Sequence, residues 1–397
     1  MDEVFYGEWL ARRPGQTRDI GRAALLAEAL GIARAGRPVL AVVGSKGKGT
    51  AATYASACLA AAGLRVCAVT SPGYRSDRER VRVDGRSLTK AGFAALASRL
   101  RAERDTLPPP EHGYLAPTGL FTLAGVLHAR DVDADVLVLE AGMGGRSDEI
   151  SLFPADAVAL TPIFGEHLGK LGGTVAEIAA EKAGVIVRET RVVVSAPQTP
   201  DVLNVLPPGH TRPEDLPPDL LPHGLASAAA ATGWTAALRL LDAEGLPRPS
   251  GRRSREVMGS ITLPGRLSWH TLPGTDVELL ADAAINGAGV TAALATAKTR
   301  WDEIDHVLVC LPDHKDLDGA ISALGDLPAT FVRLPYARLS FDHPLPRAWK
   351  VIDSAALTPE ALPTLGRRLL ALGTVYFIGH VLDLVKADTT RTFRPDG

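Results

Sequence analysis

Seven residues, Gly44-Ser45-Lys46-Gly47-Lys48-Gly49-Thr50, constrain this chain more than any other stretch. Before them runs Pro38-Val39-Leu40-Ala41-Val42-Val43, apolar throughout, which reads as a parallel strand buried on both faces. After them, Thr50 to Ala62 is rich in alanine and closes at Gly63, the pattern of a helix with a glycine stop. Arg65 to Thr70 then supplies a second strand. A strand, glycine loop, helix and strand in this order commit the chain to a parallel α/β sheet with right-handed crossovers. Within the loop the glycines let backbone N–H groups curl around a phosphate. Lys48 adds a mobile positive charge for the terminal phosphates, and a Thr50 hydroxyl at the helix start can hold Mg²⁺. The spacing is shorter than the usual P-loop pattern, so the flanking strand and helix carry the phosphate reading.

The same alternation returns downstream. Ala134 to Leu139, Ala157 to Thr161 and Arg191 to Ser195 read as buried strands. Thr174-Val175-Ala176-Glu177 fits a capping box that opens a helix running to Lys182 and stopping at Gly184. Pro200 to Pro222, rich in proline, glycine and acids, reads as a loop, and Ala226 to Leu241 as a helix. Pro247 to Arg255 reads as a basic, turn-rich linker whose arginines could otherwise touch a phosphate. A second alternating block follows, with strands expected at Asp276 to Leu280, Val307 to Leu311 and Thr374 to Ile378. Helices are expected at Ala288 to Lys298 and Pro359 to Leu372. The expected domains are 1–262 and 263–397, a P-loop parallel-sheet ATPase domain followed by a smaller Rossmann-like α/β domain.

Composition narrows the function classes. The 397 residues carry 43 basic and 45 acidic side chains, a net charge of -2, which argues against nucleic acid or an anionic membrane as the main partner. No apolar run is long enough to span a membrane. The acidic start, Met1-Asp2-Glu3-Val4, does not read as a signal peptide. Cys58, Cys67 and Cys310 have neither metal-ligand nor redox spacing, so a reducing, cytoplasmic setting is expected. Only nine of the basic residues are lysines, which singles out those in glycine-rich settings.

Three further residues fall at chemically useful places. Glu140 ends the strand before Ala141-Gly142-Met143-Gly144-Gly145-Arg146, and an acid at the carboxyl end of a parallel strand lies on the ligand edge of such a sheet. Its alternative is a plain cap for the next turn. His167 follows a strand by a short loop, where a histidine is often only a loop residue. Lys182 by itself is a favourable cation at a helix C-terminus.

Taken together, an ordered series of motifs resembles the folylpolyglutamate and dihydrofolate synthases of the Mur ligase superfamily. The series is Gly44 to Thr50, Thr70-Ser71-Pro72, Glu79 to Gly85, Leu139 to Asp148, His167 with Leu171-Gly172, and Ile178 to Gly184. It continues through Pro264-Gly265-Arg266-Leu267, Asp282 to Asn286, His314-Lys315-Asp316 and Gly379-His380. The resemblance implies ATP-dependent amide formation through an acyl phosphate, joining glutamate or another amino acid to a small carboxylate. It implies Lys48 and the loop residues Gly44, Ser45, Lys46, Gly47, Gly49 and Thr50 on the ATP phosphates, with Thr50 near the phosphate-bound metal. Ser71 and Glu140 would hold one Mg²⁺, and His167 with Glu140 a second. Lys182 matches a lysine that is carbamylated in that family and so becomes an anionic metal ligand. Arg266 and Asp282 would reach the nucleotide, and the expected partners are small molecules, with a monomer or weak dimer.

Several positions depart from the family. Lys46 stands for an asparagine, Gly73 for a histidine, and Asp148-Glu149-Ile150-Ser151 for an aspartate-alanine-threonine-asparagine run. Ser227, in His223-Gly224-Leu225-Ala226-Ser227, takes the place of an asparagine offered to the nucleotide. Ile285 replaces a histidine in Asp282-Ala283-Ala284-Ile285-Asn286. Three readings compete: a ligase with a changed carboxylate substrate, a true folylpolyglutamate or dihydrofolate synthase, and a catalytically inactive nucleotide-binding paralogue with a sensing or scaffolding role.

Overall fold

A computed structural model describes residues 3–110, 113–166, 169–222, 224–336 and 339–396. The chain divides into two compact units. The first holds 1–73, 78–261 and 390–397, and the second 74–77 and 262–389. Both are α/β, as the alternation of patterns implies.

The first unit is built on a seven-stranded sheet. Its strands are β1 (Val39–Val43), β2 (Val66–Val69), β3 (Val81–Val83), β4 (Arg86–Ser87), β5 (Val136–Glu140), β6 (Ala157–Leu160) and β7 (Val192–Ser195), in the spatial order β4-β3-β2-β5-β1-β6-β7. The five strands from β2 to β7 in that order are parallel, and β3 and β4 add an antiparallel edge. Every residue of β1, β2, β5 and β6 is buried, which explains why their sequences are continuously apolar rather than alternating. Register fixes the site, because Val42 pairs with Glu140 across β1 and β5, and Val43 with Leu160 across β1 and β6. Three helices concern that site: α1 (Lys48–Ala61), α2 (Pro117–Asp131) and α3 (Val175–Ala183), the last opened by the capping box of Thr174 and Glu177. A fourth, α4 (Leu225–Ala243), packs on α1.

The second unit carries six strands: β8 (Ser268–Thr271), β9 (Glu278–Asp282), β10 (His306–Cys310), β11 (Ala329–Arg333), β12 (Lys350–Asp353) and β13 (Arg368–Gly373). They lie in the order β8-β9-β13-β10-β11-β12, parallel except for β8. Helices α5 (Gly287–Ala297), α6 (Leu317–Leu324) and α7 (Val375–Leu384) complete it.

Here the structure corrects several sequence expectations. Thr374 to Ile378, β-branched and aromatic enough to predict a strand, is instead the start of α7. Thr374 caps it by accepting from the Phe377 N–H, and Phe377, Ile378, Val381 and Leu382 line one buried helical face. Pro359 to Leu372, which predicts a helix, holds a short 3₁₀ turn at Leu362–Leu365 and then β13. The run Leu369 to Leu372 is apolar because β13 is central and covered on both faces, and periodicity alone does not separate that from a buried helix. The expected linker at Pro247 to Arg255 contains a helix, Gly251–Gly259, capped by Ser250. The expected loop at 200–222 includes a short helical turn at Pro200–Leu203 and a 3₁₀ turn at Pro218–Leu220. No helix among the described residues is long and apolar enough to cross a membrane.

Candidate active site

The glycine loop joins β1 to α1 at the carboxyl edge of the first sheet. Gly44 has φ 143°, and a Cβ there would stand 2.8 Å from the Thr161 carbonyl oxygen and 2.0 Å from its hydroxyl. Gly47, the N-cap of α1, sits at φ 85°, with a Cβ position 2.5 Å from the Ala229 methyl. Both positions demand glycine for backbone and for space. The loop rests on the segment after β6. Ser45 N–H donates to the Pro162 carbonyl at 3.0 Å, and the Ser45 hydroxyl accepts from Phe164 N–H at 3.2 Å. Lys48 Nζ lies 3.0 Å from the Gly44 carbonyl and 3.4 Å from that of Ser45, folded back over its own loop. A glycine loop at the positive end of α1 is an arrangement that favours an anion.

Beside it stand the acid and the hydroxyls. Glu140, at the end of β5, is 5% exposed, and its Oε2 accepts from Ser71 N–H at 2.9 Å. The Ser71 hydroxyl accepts from Arg80 Nη1 at 3.0 Å. Arg80 is itself fixed by the Tyr6 hydroxyl and by the Phe121 ring, 4.5 Å from its guanidinium carbon. Thr50 Oγ1 is buried with no hydrogen-bond partner among the described residues. A buried hydroxyl without a partner costs roughly 1–3 kcal/mol unless a ligand completes it. Oxygen donors of this kind, hydroxyl and carboxylate, are what Mg²⁺ prefers, so Thr50, Ser71 and Glu140 fit the ion. No group of three or more histidine, cysteine, aspartate or glutamate side chains able to hold a metal occurs among the described residues.

Lys182 reaches this edge from α3. Its side chain is 1% exposed, and Nζ donates to the Gly44 carbonyl and to Glu166 Oε1, both at 2.8 Å. Burial, and then the neighbouring Lys48, push its pKa below the ordinary lysine value, with Glu166 opposing them. The structure therefore brings Lys48, Lys182 and the loop together, with Glu140 and Ser71 at the adjoining strand end. Ser227 lies in the first turn of α4, two residues before Ala229. His167 lies outside the described residues. Arg266 and Asp282 belong to the second unit, where the Asp282 carboxylate accepts from Leu267 N–H at 2.8 Å and so pins the turn that carries Arg266.

Sequence reasoning assigns no role to Glu166, Arg80 or Glu181. Glu166 was the most findable, an acid directly before His167 and just after a strand. Glu181 Oε1 accepts from Ser147 N–H at 2.8 Å and from Gly145 N–H at 3.3 Å, tying the loop after Glu140 to the helix of Lys182. Only the packed structure shows that link.

A glycine loop seated between β1 and α1, an orphaned threonine hydroxyl and a strand-end carboxylate define a P-loop-type nucleotide-binding fold. No family model matches the chain. The dihydrofolate synthase/folylpolyglutamate synthase of Escherichia coli (strain K12) is 32% identical over 199 residues, 49% of this chain and 45% of that protein. The enzyme of the same name from Mycobacterium tuberculosis is 28% identical over 350 residues, 76% of this chain and 71% of that one. Among solved structures, folylpolyglutamate synthase from Thermotoga maritima superposes with a TM-score of 0.75 at 19% identity, covering 98% of both chains. E. coli FolC in complex with DHPP and ADP gives 0.76 at 23% identity, covering 97% of each. The sequence match spans less than half the length of the first curated relatives: 45%, 29%, 21% and 38% of each. The chain is thus similar in sequence to folylpolyglutamate and dihydrofolate synthases and shares the fold of the solved folylpolyglutamate synthases.

Proposed function

We propose that the protein is an ATP-dependent ligase that joins a small carboxylate to an amine, in particular an amino acid such as glutamate. The observation that carries this reading is the convergence of Lys48, Lys182 and the glycine loop on one strand-end edge with Glu140 and Ser71. In the proposed reaction a substrate carboxylate oxygen bonds to the γ-phosphorus of ATP as the bond to ADP breaks, giving an acyl phosphate. The amine then attacks the acyl carbon, a proton leaves the nitrogen, and inorganic phosphate departs. The loop amides and Lys48 hold the phosphates and spread the charge that develops on them. Mg²⁺, held by Thr50, Ser71 and Glu140, would add charge neutralisation at the phosphates, and His167 with a carbamylated Lys182 would serve a second ion. In the second unit, Arg266 and Asp282 are proposed to bear on the nucleotide, Asp282 by fixing the Arg266 turn. We take 1–262 as the ATP-binding domain and 263–397 as the ligase domain, with 390–397 packing back on the first unit.

The carboxylate is the open question. A folate-type acid is favoured by the E. coli and M. tuberculosis relatives, which are named for that activity. A different acid is favoured by Gly73 and by the Ile150-Ser151 pair, which depart from the resembled motifs in the region expected to face the pterin. Phosphate release from ATP, screened over dihydropteroate, reduced folates and a panel of other carboxylates with glutamate and other amines, separates the two. Release that needs both an acid and an amine supports the ligase. A protein that released no phosphate with any pair and bound no ATP would overturn it in favour of a non-catalytic role.

A further inference from the structure

The first unit buries a second set of charges that the proposed chemistry does not use. Asp148 and Glu149, at the entry to the 3₁₀ turn Glu149–Leu152, both have side chains that are 0% exposed. Arg18 is the cation in contact with both, and Lys182 acts electrostatically on Asp148. Arg18 lies on a two-residue strand, Thr17–Arg18, and its Nη1 stands 2.7 Å from Asp148 Oδ2 and 3.1 Å from Glu149 Oε2. The same guanidinium donates to the Thr118 hydroxyl at 3.2 Å and to the Ser147 carbonyl at 3.3 Å. Two carboxylates thus share one guanidinium, and Glu149 Oε1 is buried with no partner among the described residues. Helix α2 brings no charge to this point. Gly119 leaves the room that the carboxyl fills, a Cβ there standing 2.1 Å from its carboxyl carbon. The nearby Arg22 turns away to Glu8, and Tyr114 acts on Arg18 rather than on Glu149.

An ionised carboxylate with an orphaned oxygen is costly in a closed site, whereas a proton on Glu149 leaves Arg18 balanced against Asp148 alone. Burial pushes the Glu149 carboxyl up, Arg18 pulls it back and Asp148 adds to the rise, leaving it at about 7.

The cluster grips the loop that follows Glu140. Asp148 Oδ2 accepts from Met143 N–H at 3.0 Å, and Arg18 reaches the Ser147 carbonyl. On the other side Glu181 Oε1 takes Ser147 N–H, while the Glu181 carbonyl takes Arg146 N–H at 2.9 Å. Residues 143–148 are therefore held between the strand of Glu140 and the helix of Lys182. We propose that Arg18, Asp148 and Glu149 form a proton-holding clamp on this loop, and that Arg18 and Glu149 are positioning residues that set the spacing between Glu140 and α3. The functional half of this proposal rests on the ligase reading, and the clamp itself does not.

The test follows amide hydrogen exchange of residues 143–148 at about pH 6 and about pH 8, corrected for intrinsic rates, in the full chain and in Glu149→Gln and Arg18→Lys. ATP affinity in the presence of Mg²⁺ is measured by calorimetry under the same conditions. In the wild type, loop protection falls roughly tenfold between the two pH values, since each pH unit above the carboxyl's pKa changes the proton-bound fraction about tenfold. Glu149→Gln carries its hydrogens permanently and holds protection nearly constant, and ATP affinity follows the same two patterns. Arg18→Lys, which cannot fork across both carboxylates, loses protection at both pH values. An equal pH response in the wild type and Glu149→Gln overturns the clamp. Loop exchange that follows the expected pattern while ATP binds with one affinity in every protein at both pH values overturns the positioning role. The expected exchange pattern with no ATP bound by any protein upholds the clamp and overturns the ligase reading.

Discussion

Lys182 and Glu149 show how burial assigns work to single side chains. A lysine at the end of a helix is ordinarily a solvated cation, but here it is enclosed between the Gly44 carbonyl and Glu166, and burial with Lys48 lowers its pKa. That makes it a tuned group rather than a helix cap. Glu149 is tuned the other way, with consequences for stability. It releases its proton near its ordinary value of 4.5 in the unfolded chain and near 7 in the folded one, so the folded protein binds more protons between these limits. Stability therefore falls as pH rises through that window, by up to about 1.4 kcal/mol per pH unit, and levels off above it. Glu149→Gln removes this slope. Urea unfolding at a series of pH values checks it, through a wild-type minus variant difference that grows from about pH 4.5 to about pH 7.

At the scale of elements, the glycine loop, its strand and its helix were legible because each carries its own local chemistry. The run Val39 to Val43 is apolar because two parallel neighbours and two faces cover it, and Gly44 and Gly47 stand where only glycine fits. The second unit was less legible. Leu369 to Leu372 reads equally as helix or strand, and only pairing with β9 and β10 decides it. Thr374 to Ile378 reads as a strand for the opposite reason, since β-branched and aromatic residues hide a helical face that Thr374 caps. Thr374→Ala is expected to cost about 1 kcal/mol by losing that cap, and Thr374→Ser to cost a few tenths. Thermal unfolding of the two variants measures the difference, a lowering of Tm by roughly 2–6 °C for the alanine variant. The contacts that escaped the sequence share one cause. Arg80 on Ser71, Glu181 on Ser147 and Arg18 on Glu149 join residues 9, 34 and 131 positions apart, and no local pattern announces such pairs.

For the whole molecule, two α/β units account for the two expected blocks of alternating pattern, with the last residues, 390–397, returning to the first unit, where Ser87 N–H donates to the Thr390 carbonyl at 2.8 Å. Near-neutral net charge suits a protein whose cations are concentrated where they are needed. Lys48 and Lys182 converge on one glycine loop, while arginines such as Arg191 and Arg248 pair with acids at the surface. The departures from the resembled motifs lie mainly outside the loop, Glu140 and Lys182, which is what the proposed ligase with a changed carboxylate substrate requires. Titration of ATP in the presence of Mg²⁺ into the wild-type protein and into Lys48→Ala tests that central claim most directly. The account predicts saturable binding by the wild type and a loss of at least about tenfold in affinity, ~1.4 kcal/mol, in the variant. Equal affinity in the two proteins, or no binding by the wild type, would contradict it.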